Sequence, residues 1–214
     1  LKPSQLGLGE DAGRCRGHLD AILAEAARRG NSVCIDMEGS AYTDATLALF
    51  DALRRDHGNV STVLQANLKR SPDDLARLLG RGAQVRLVKR AYLEPSAIAH
   101  TAKRDVDAAF WRMIEMGLSK AARERGAYVA IATHDERMLK RACAVIRRDK
   151  VPASAYEFQM LYGIGREVQH KLNEAGHVVR VYVSYGSEWY PYFMRRLAER
   201  PANVLFLLKN LFKG

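Results

Sequence analysis

The sequence predicts an α/β fold: a (β/α)8, TIM-like barrel, one strand of which is missing from this chain. Three observations carry that expectation. Short β-branched apolar runs alternate with amphipathic stretches along all 214 residues, which implies a parallel sheet. The apolar runs are almost unbroken, as strands covered on both faces require. Seven β-α units can be counted, the first opening in mid-strand, and no eighth strand is found to close the ring. No linker, composition break or internal repeat divides the chain, so residues 1–214 form one domain, a size ordinary for a single barrel.

Taken in order, residues 1–8 are a strand end. A helix follows over 17–29, with Leu19, Ile22, Leu23 and Ala26 on its apolar stripe. Strand 32–37 precedes helix 45–57, which carries Leu47, Phe50 and Leu53 on one face. Strand 61–68 leads to helix 72–80, where Ser71 has the chemistry of an N-cap and Pro72 suits the first helical position. Strand 85–89 is followed by a long helix over 106–125. Strand 128–133 pairs with helix 136–148, strand 156–161 with helix 167–174, and strand 178–184 with helix 190–200. The apolar stretch 201–212 (PANVLFLLKNLF) predicts a terminal helix.

Composition narrows the function classes. The formal net charge is +10, which raises nucleic acid, an anionic membrane surface or an acidic ligand as partners. The basic residues are spread over every helix and interleaved with acids, however, so a nucleic-acid partner is not expected. No run of about 18 apolar residues exists to span a membrane, and the N-terminus lacks the pattern of a signal peptide. Cys15, Cys34 and Cys143 are isolated thiols, which points to a reducing, cytoplasmic setting without structural zinc. The six histidines show no metal-ligand spacing, so no metal is expected.

Parallel barrels do their chemistry where strands end and β-α loops begin. Here every such end is polar: Lys2; Asp36 and Glu38; Gln65; Lys89 and Tyr92; Thr133, His134 and Asp135; Gln159; Tyr182 and Tyr185. Arg86 lies inside an otherwise apolar strand, where an unpaired charge would be costly. Past the last strand, Tyr192, Arg195, Arg196 and Glu199 share one helix face. Two guanidiniums beside a phenol make an anion clamp for a carboxylate or phosphate, or else a solvated face on which Glu199 pairs with an arginine. The expected site is cationic at Lys2, Arg86, Lys89, Arg195 and Arg196, with Asp36 as its central acid. Gly163-Ile164-Gly165 follows a strand but lacks the third glycine of a dinucleotide fingerprint, and no G-x-S-x-G is present.

The segments IDMEGSAYTDATL, VLQANL, VRLVKRAY, AIATHD, YEFQMLYGI and RVYVSYGSEWYPYFMRRLAERPANVLFLL occur in the order found in proline dehydrogenases. The chain resembles that family, its bacterial monofunctional type most of all, from Lys2 to the terminal helix. The resemblance implies a distorted (β/α)8 barrel holding FAD at the strand C-terminal ends, with the first strand and N-terminal helices missing from this chain. It implies oxidation of L-proline to Δ1-pyrroline-5-carboxylate, with electrons passed to a membrane quinone and hence a peripheral contact with the inner membrane surface. Lys2, Arg195 and Arg196 would clamp the substrate carboxylate, and Tyr92, Tyr182 and Tyr192 would wall the pyrrolidine ring. Asp36 and Arg86 correspond to the acidic and the basic residue assigned to the family's active site, and are the expected catalytic residues. Met37, Gln65, Val88, Lys89, Arg90, Ala91, Thr133, His134, Gln159 and Glu199 match positions at or near the flavin. The family usually has Gly where Arg90 stands.

Two other readings are separable by experiment. A barrel flavoenzyme for another cyclic secondary amine would prefer hydroxyproline to proline. A basic, non-catalytic anion- or nucleic-acid-binding domain would lose affinity steeply with salt.

Overall fold

The computed structural model describes residues 1–186 and Trp189. The expected helices at 190–200 and 201–212, and with them Tyr192, Arg195, Arg196 and Glu199, lie outside the described residues. Six parallel strands form one sheet in the order of the chain: β1 (Val33–Ile35), β2 (Val60–Gln65), β3 (Gln84–Val88), β4 (Tyr128–Ala132), β5 (Tyr156–Leu161) and β6 (Val179–Tyr182). The helices are α1 (Ala12–Arg28), α2 (Thr43–Asp56), α3 (Ser71–Leu79), α4 (Lys103–Leu118), α5 (Lys120–Glu124), α6 (Glu136–Arg148) and α7 (Arg166–Glu174). Among the described residues no helix is long and apolar enough to cross a membrane.

Alternation along each strand sorts the side chains. Val85 and Leu87 of β3, Val129 and Ile131 of β4, and Phe158 of β5 are buried in one core with Phe50 of α2, Leu75 and Leu78 of α3, and Phe110 and Met113 of α4. The intervening residues, Arg86 and Val88 among them, face the concave side. Register places Val63, Arg86, Ala130 and Glu157 side by side. The sheet must curl. Strands lie about 4.8 Å apart, so a flat sheet would hold β1 and β5 about 19 Å apart. Yet the Arg86 guanidinium bonds both Asp36, just past β1, and Gln159 on β5.

Several expected boundaries move, each for a local reason. Residues 1–8 are not a strand: Pro3–Leu6 form a 3-10 turn closed by Gly7 at φ 92°. Pro3 has no N–H to give a ladder, and Leu1 alone pairs with β1, accepting from the Asp36 N–H at 2.8 Å. Helix α1 begins five residues early because Asp11 caps it, accepting from the Arg14 N–H at 2.9 Å. Ser71 is inside α3 and does not cap it; its hydroxyl donates to the Gln65 carbonyl at 2.6 Å. The long helix expected over 106–125 is two helices, broken at Ser119, whose extended backbone and Oγ cap α5. Just before the break Gly117 lies so close to β4 that a Cβ there would stand 2.5 Å from Val129 Cγ1.

Candidate active site

The C-terminal ends of the strands surround a cavity of about 600 Å³. The local structure that places each lining group is legible. Lys2 is set at its mouth by the 3–6 turn, which is pinned by Glu38: the Ser4 N–H and hydroxyl donate to its two oxygens at 2.9 and 2.7 Å. Past β3, the loop bearing Arg90, Ala91 and Tyr92 is held twice. Gln65 accepts from the Ala91 N–H at 2.8 Å, and Glu94 accepts from the Ser40 N–H and hydroxyl at 2.7 and 2.6 Å. After β4, Thr133 Oγ1 accepts from the Asp135 N–H at 3.1 Å, and His134 Nε2 accepts from the Leu161 N–H at 3.2 Å. That second bond assigns the His134 ring proton to Nδ1.

Arg86 forms the floor. Its Nη1 donates to Asp36 Oδ1 at 2.8 Å and its Nε to Gln159 Oε1 at 2.6 Å. Charge expected to be costly inside a strand is therefore compensated, and both partners are polar groups of the same concave face. Below this floor a second cavity of about 400 Å³ is lined by Cys34, Ser61, Gln84, Tyr128, Glu157 and Arg180. Burial pushes the Cys34 thiol up, so it stays protonated. Burial also raises the Glu157 carboxyl, but hydrogen bonds from Arg180 and Gln159 outweigh it and the net shift is down.

The structure brings together Lys2, Asp36, Met37, Arg86, Val88, Lys89, Arg90, Ala91, Tyr92, Thr133, His134, Gln159 and Tyr182 around the upper cavity. Gln65 is the exception among the described candidates. It sits buried behind the wall, bridging the Glu38 carbonyl and the Ala91 N–H. The expected charge is also corrected. Lys89 does not contribute a free cation, because its ammonium bonds Asp107 at 2.5 Å and Asp135 at 2.8 Å. As the outward neighbour of inward Val88, it ties β3 to α4 and to the start of α6. Arg86 is neutralised by Asp36. Among the described residues, the lining cations without an ion pair are Lys2 and Arg90. Arg90 is exposed at the rim.

Gln5, Ile164 and Trp189 also line the cavity and carried no sequence signal. Glu157 and Arg180 were overlooked although they had one. Each is a charge inside an apolar strand, the same signal that singled out Arg86.

The chain matches the family model described as proline dehydrogenase over residues 3–209. It is 39% identical over 213 residues to proline dehydrogenase 1 of Bacillus subtilis subsp. natto, aligning all of this chain with 69% of that protein. It is 40% identical over 219 residues to the proline dehydrogenase of Deinococcus radiodurans, again covering 100% of this chain and 69% of the relative. Among solved structures it superposes on proline utilization A (PutA) from Bdellovibrio bacteriovorus inactivated by N-propargylglycine. The TM-score is 0.79 at 25% identity, over 92% of this chain and 23% of that one. A second structure, of a bifunctional proline utilization A (PutA) protein, gives 0.79 at 21% identity, over 93% of this chain and 23% of that one, a likeness of fold.

Proposed function

The chain belongs to the proline dehydrogenase family, a family of oxidoreductases, and from that premise we propose that it oxidises L-proline to Δ1-pyrroline-5-carboxylate. In this reading FAD is the cofactor and a quinone takes the electrons, at a peripheral contact with the membrane. The observation that carries it is the gathering of Lys2, Asp36, Arg86, Tyr92 and Tyr182 at one cavity where the parallel strands end.

The residues present suit a flavin. A cavity of about 600 Å³ falls within the range of cofactor pockets and exceeds what a small amino acid fills. Met37, Val88, Met160, Leu161 and Ile164 offer apolar faces for a planar ring. Met37, Val88, Lys89, Arg90, Ala91, Thr133, His134 and Gln159 would hold the group, with Gln65 acting from behind the wall. Glu199 would join from outside the described residues. When bound, FAD supplies the acceptor for the hydride that proline loses.

The protein's own groups bind and orient. Lys2, together with Arg195 and Arg196, would grip the proline carboxylate with charge-assisted hydrogen bonds. Tyr92, Tyr182 and Tyr192 would flank the ring and exclude water. Asp36, held by Arg86, stands as the acceptor toward the substrate amine, which must be neutral to lose hydride. Arg86, its charge balanced by Asp36, would offer fixed guanidinium N–H donors at the floor toward negative charge that develops there.

The test is spectroscopic. Protein loaded with FAD should lose its flavin absorbance when proline is added without another acceptor. A folded, FAD-saturated sample whose spectrum proline never changes would refute the proposal.

A further inference from the structure

Beneath the cavity floor, one polar chain crosses the concave face from β6 to β1. Arg180 Nε donates to both oxygens of Glu157 at 2.8 and 3.0 Å. Gln159 Nε2 donates to Glu157 Oε1 at 2.5 Å, and Gln159 Oε1 accepts from Arg86 Nε at 2.6 Å. Arg86 Nη1 then donates to Asp36. Glu157 is 3% exposed and makes no hydrogen bond or ion pair with Arg86 or Asp36 among the described residues. The chain has a direction. An ionised carboxylate only accepts, a guanidinium only donates, and an amide does one at each end.

We infer that Glu157 is a positioning residue: by demanding the NH2 of Gln159 it turns the amide oxygen toward Arg86, and so fixes the guanidinium against Asp36. Reversing the amide would set NH2 against N–H on one side and oxygen against carboxylate on the other. Both contacts would become repulsive inside a low-dielectric interior. Held at Nε and Nη1, Arg86 keeps Nη2 without a hydrogen bond among the described residues, as the donor left for a ligand. A buried carboxylate two residues from Gln159 on the same strand thus sets the geometry of a guanidinium to which it is not hydrogen-bonded. The inference rests on the functional reading above only for its kinetic consequence; the orientation itself is a property of the protein.

The test is a double-mutant cycle in FAD-loaded protein. Glu157→Leu removes the acceptor and frees the amide to turn. Gln159→Glu replaces the amide by a group with an acceptor at both ends, which needs no orienter. Glu157→Leu should lower proline kcat/KM at least tenfold, and the Glu157→Leu/Gln159→Glu double variant, in which no second carboxylate faces the introduced one, should return to within threefold of the parent. A purely structural Glu157 would leave the double variant as impaired as Glu157→Leu, and that overturns the inference. The Arg86 Nε–H resonance in nitrogen-15 NMR gives a readout independent of turnover. It should be slow to exchange with solvent in the parent, fast in Glu157→Leu, and slow again in the double variant. Fast exchange in the double variant, or slow exchange in Glu157→Leu, rejects the relay. If the parent fails to oxidise proline, the functional reading falls while the resonance still decides the orientation. Should Glu157→Leu not fold, Glu157→Gln, which keeps the volume and can offer its own NH2 to Gln159, takes its place in the same cycle.

Discussion

Lys89→Met isolates the contribution of one ammonium shared by two elements. Lys89 is 21% exposed, Asp107 14% and Asp135 17%, so all three are largely withdrawn from solvent. Removing one partner of a fully buried pair costs about 3–5 kcal/mol, whereas exposed pairs contribute roughly 0–1. Here Asp107 keeps Lys103, and both carboxylates keep Arg137, so the loss should fall between those limits, at about 2 kcal/mol. The pH dependence identifies the cause. Burial raises the Asp135 carboxyl, but Lys89 and Arg137 together hold it well below the usual range, and Asp107 is likewise held down by Lys103 and Lys89. A depressed carboxyl contributes stability that is present above its unfolded value, about 3.9, and is lost as pH falls through the folded one. Urea titrations of parent and variant should therefore differ by about 2 kcal/mol near neutrality, and the gap should shrink as pH drops below about 4. A gap that stays constant across that range would show that Lys89 acts through its aliphatic stem rather than its charge, and the electrostatic argument would be wrong.

Two further outcomes follow from other parts of the molecule. Lys2→Met should weaken proline binding by about 10–100-fold, the size of one charge-assisted hydrogen bond, while leaving FAD affinity near that of the parent. Flavin difference titration measures both, and equal losses in the two would remove Lys2 from the substrate subsite. Gly117→Ala should lower stability by about 1–3 kcal/mol through overpacking against Val129, and Val129→Ala should recover most of it. Thermal melts of the pair decide, since a cost from backbone conformation alone would not be relieved by trimming Val129.

The alternation of strands and helices, and the side chains that face the concave side, were legible along the chain because both follow from local periodicity. Ile35, Val85 and Phe158 are buried where a two-sided parallel strand requires. The cluster at the strand ends was legible for the same reason, since a β-α unit exposes polar groups only where its strand stops. What the sequence could not disclose is which charges meet. Lys89 and Arg86 are equally basic on paper, three residues apart. Parity sends Lys89 outward to Asp107 and Asp135, and Arg86 inward to Asp36 and Gln159. Those partners lie 18 to 73 residues away in the chain. The break at Ser119 was hidden similarly, because it accompanies a close approach of Gly117 to Val129 that helix periodicity does not encode. Residue types and their spacing determined the layers and the polar rim of this protein. Only the curled sheet decided which cations are already neutralised, because charge pairing depends on distance in space and periodicity constrains neighbours in sequence alone.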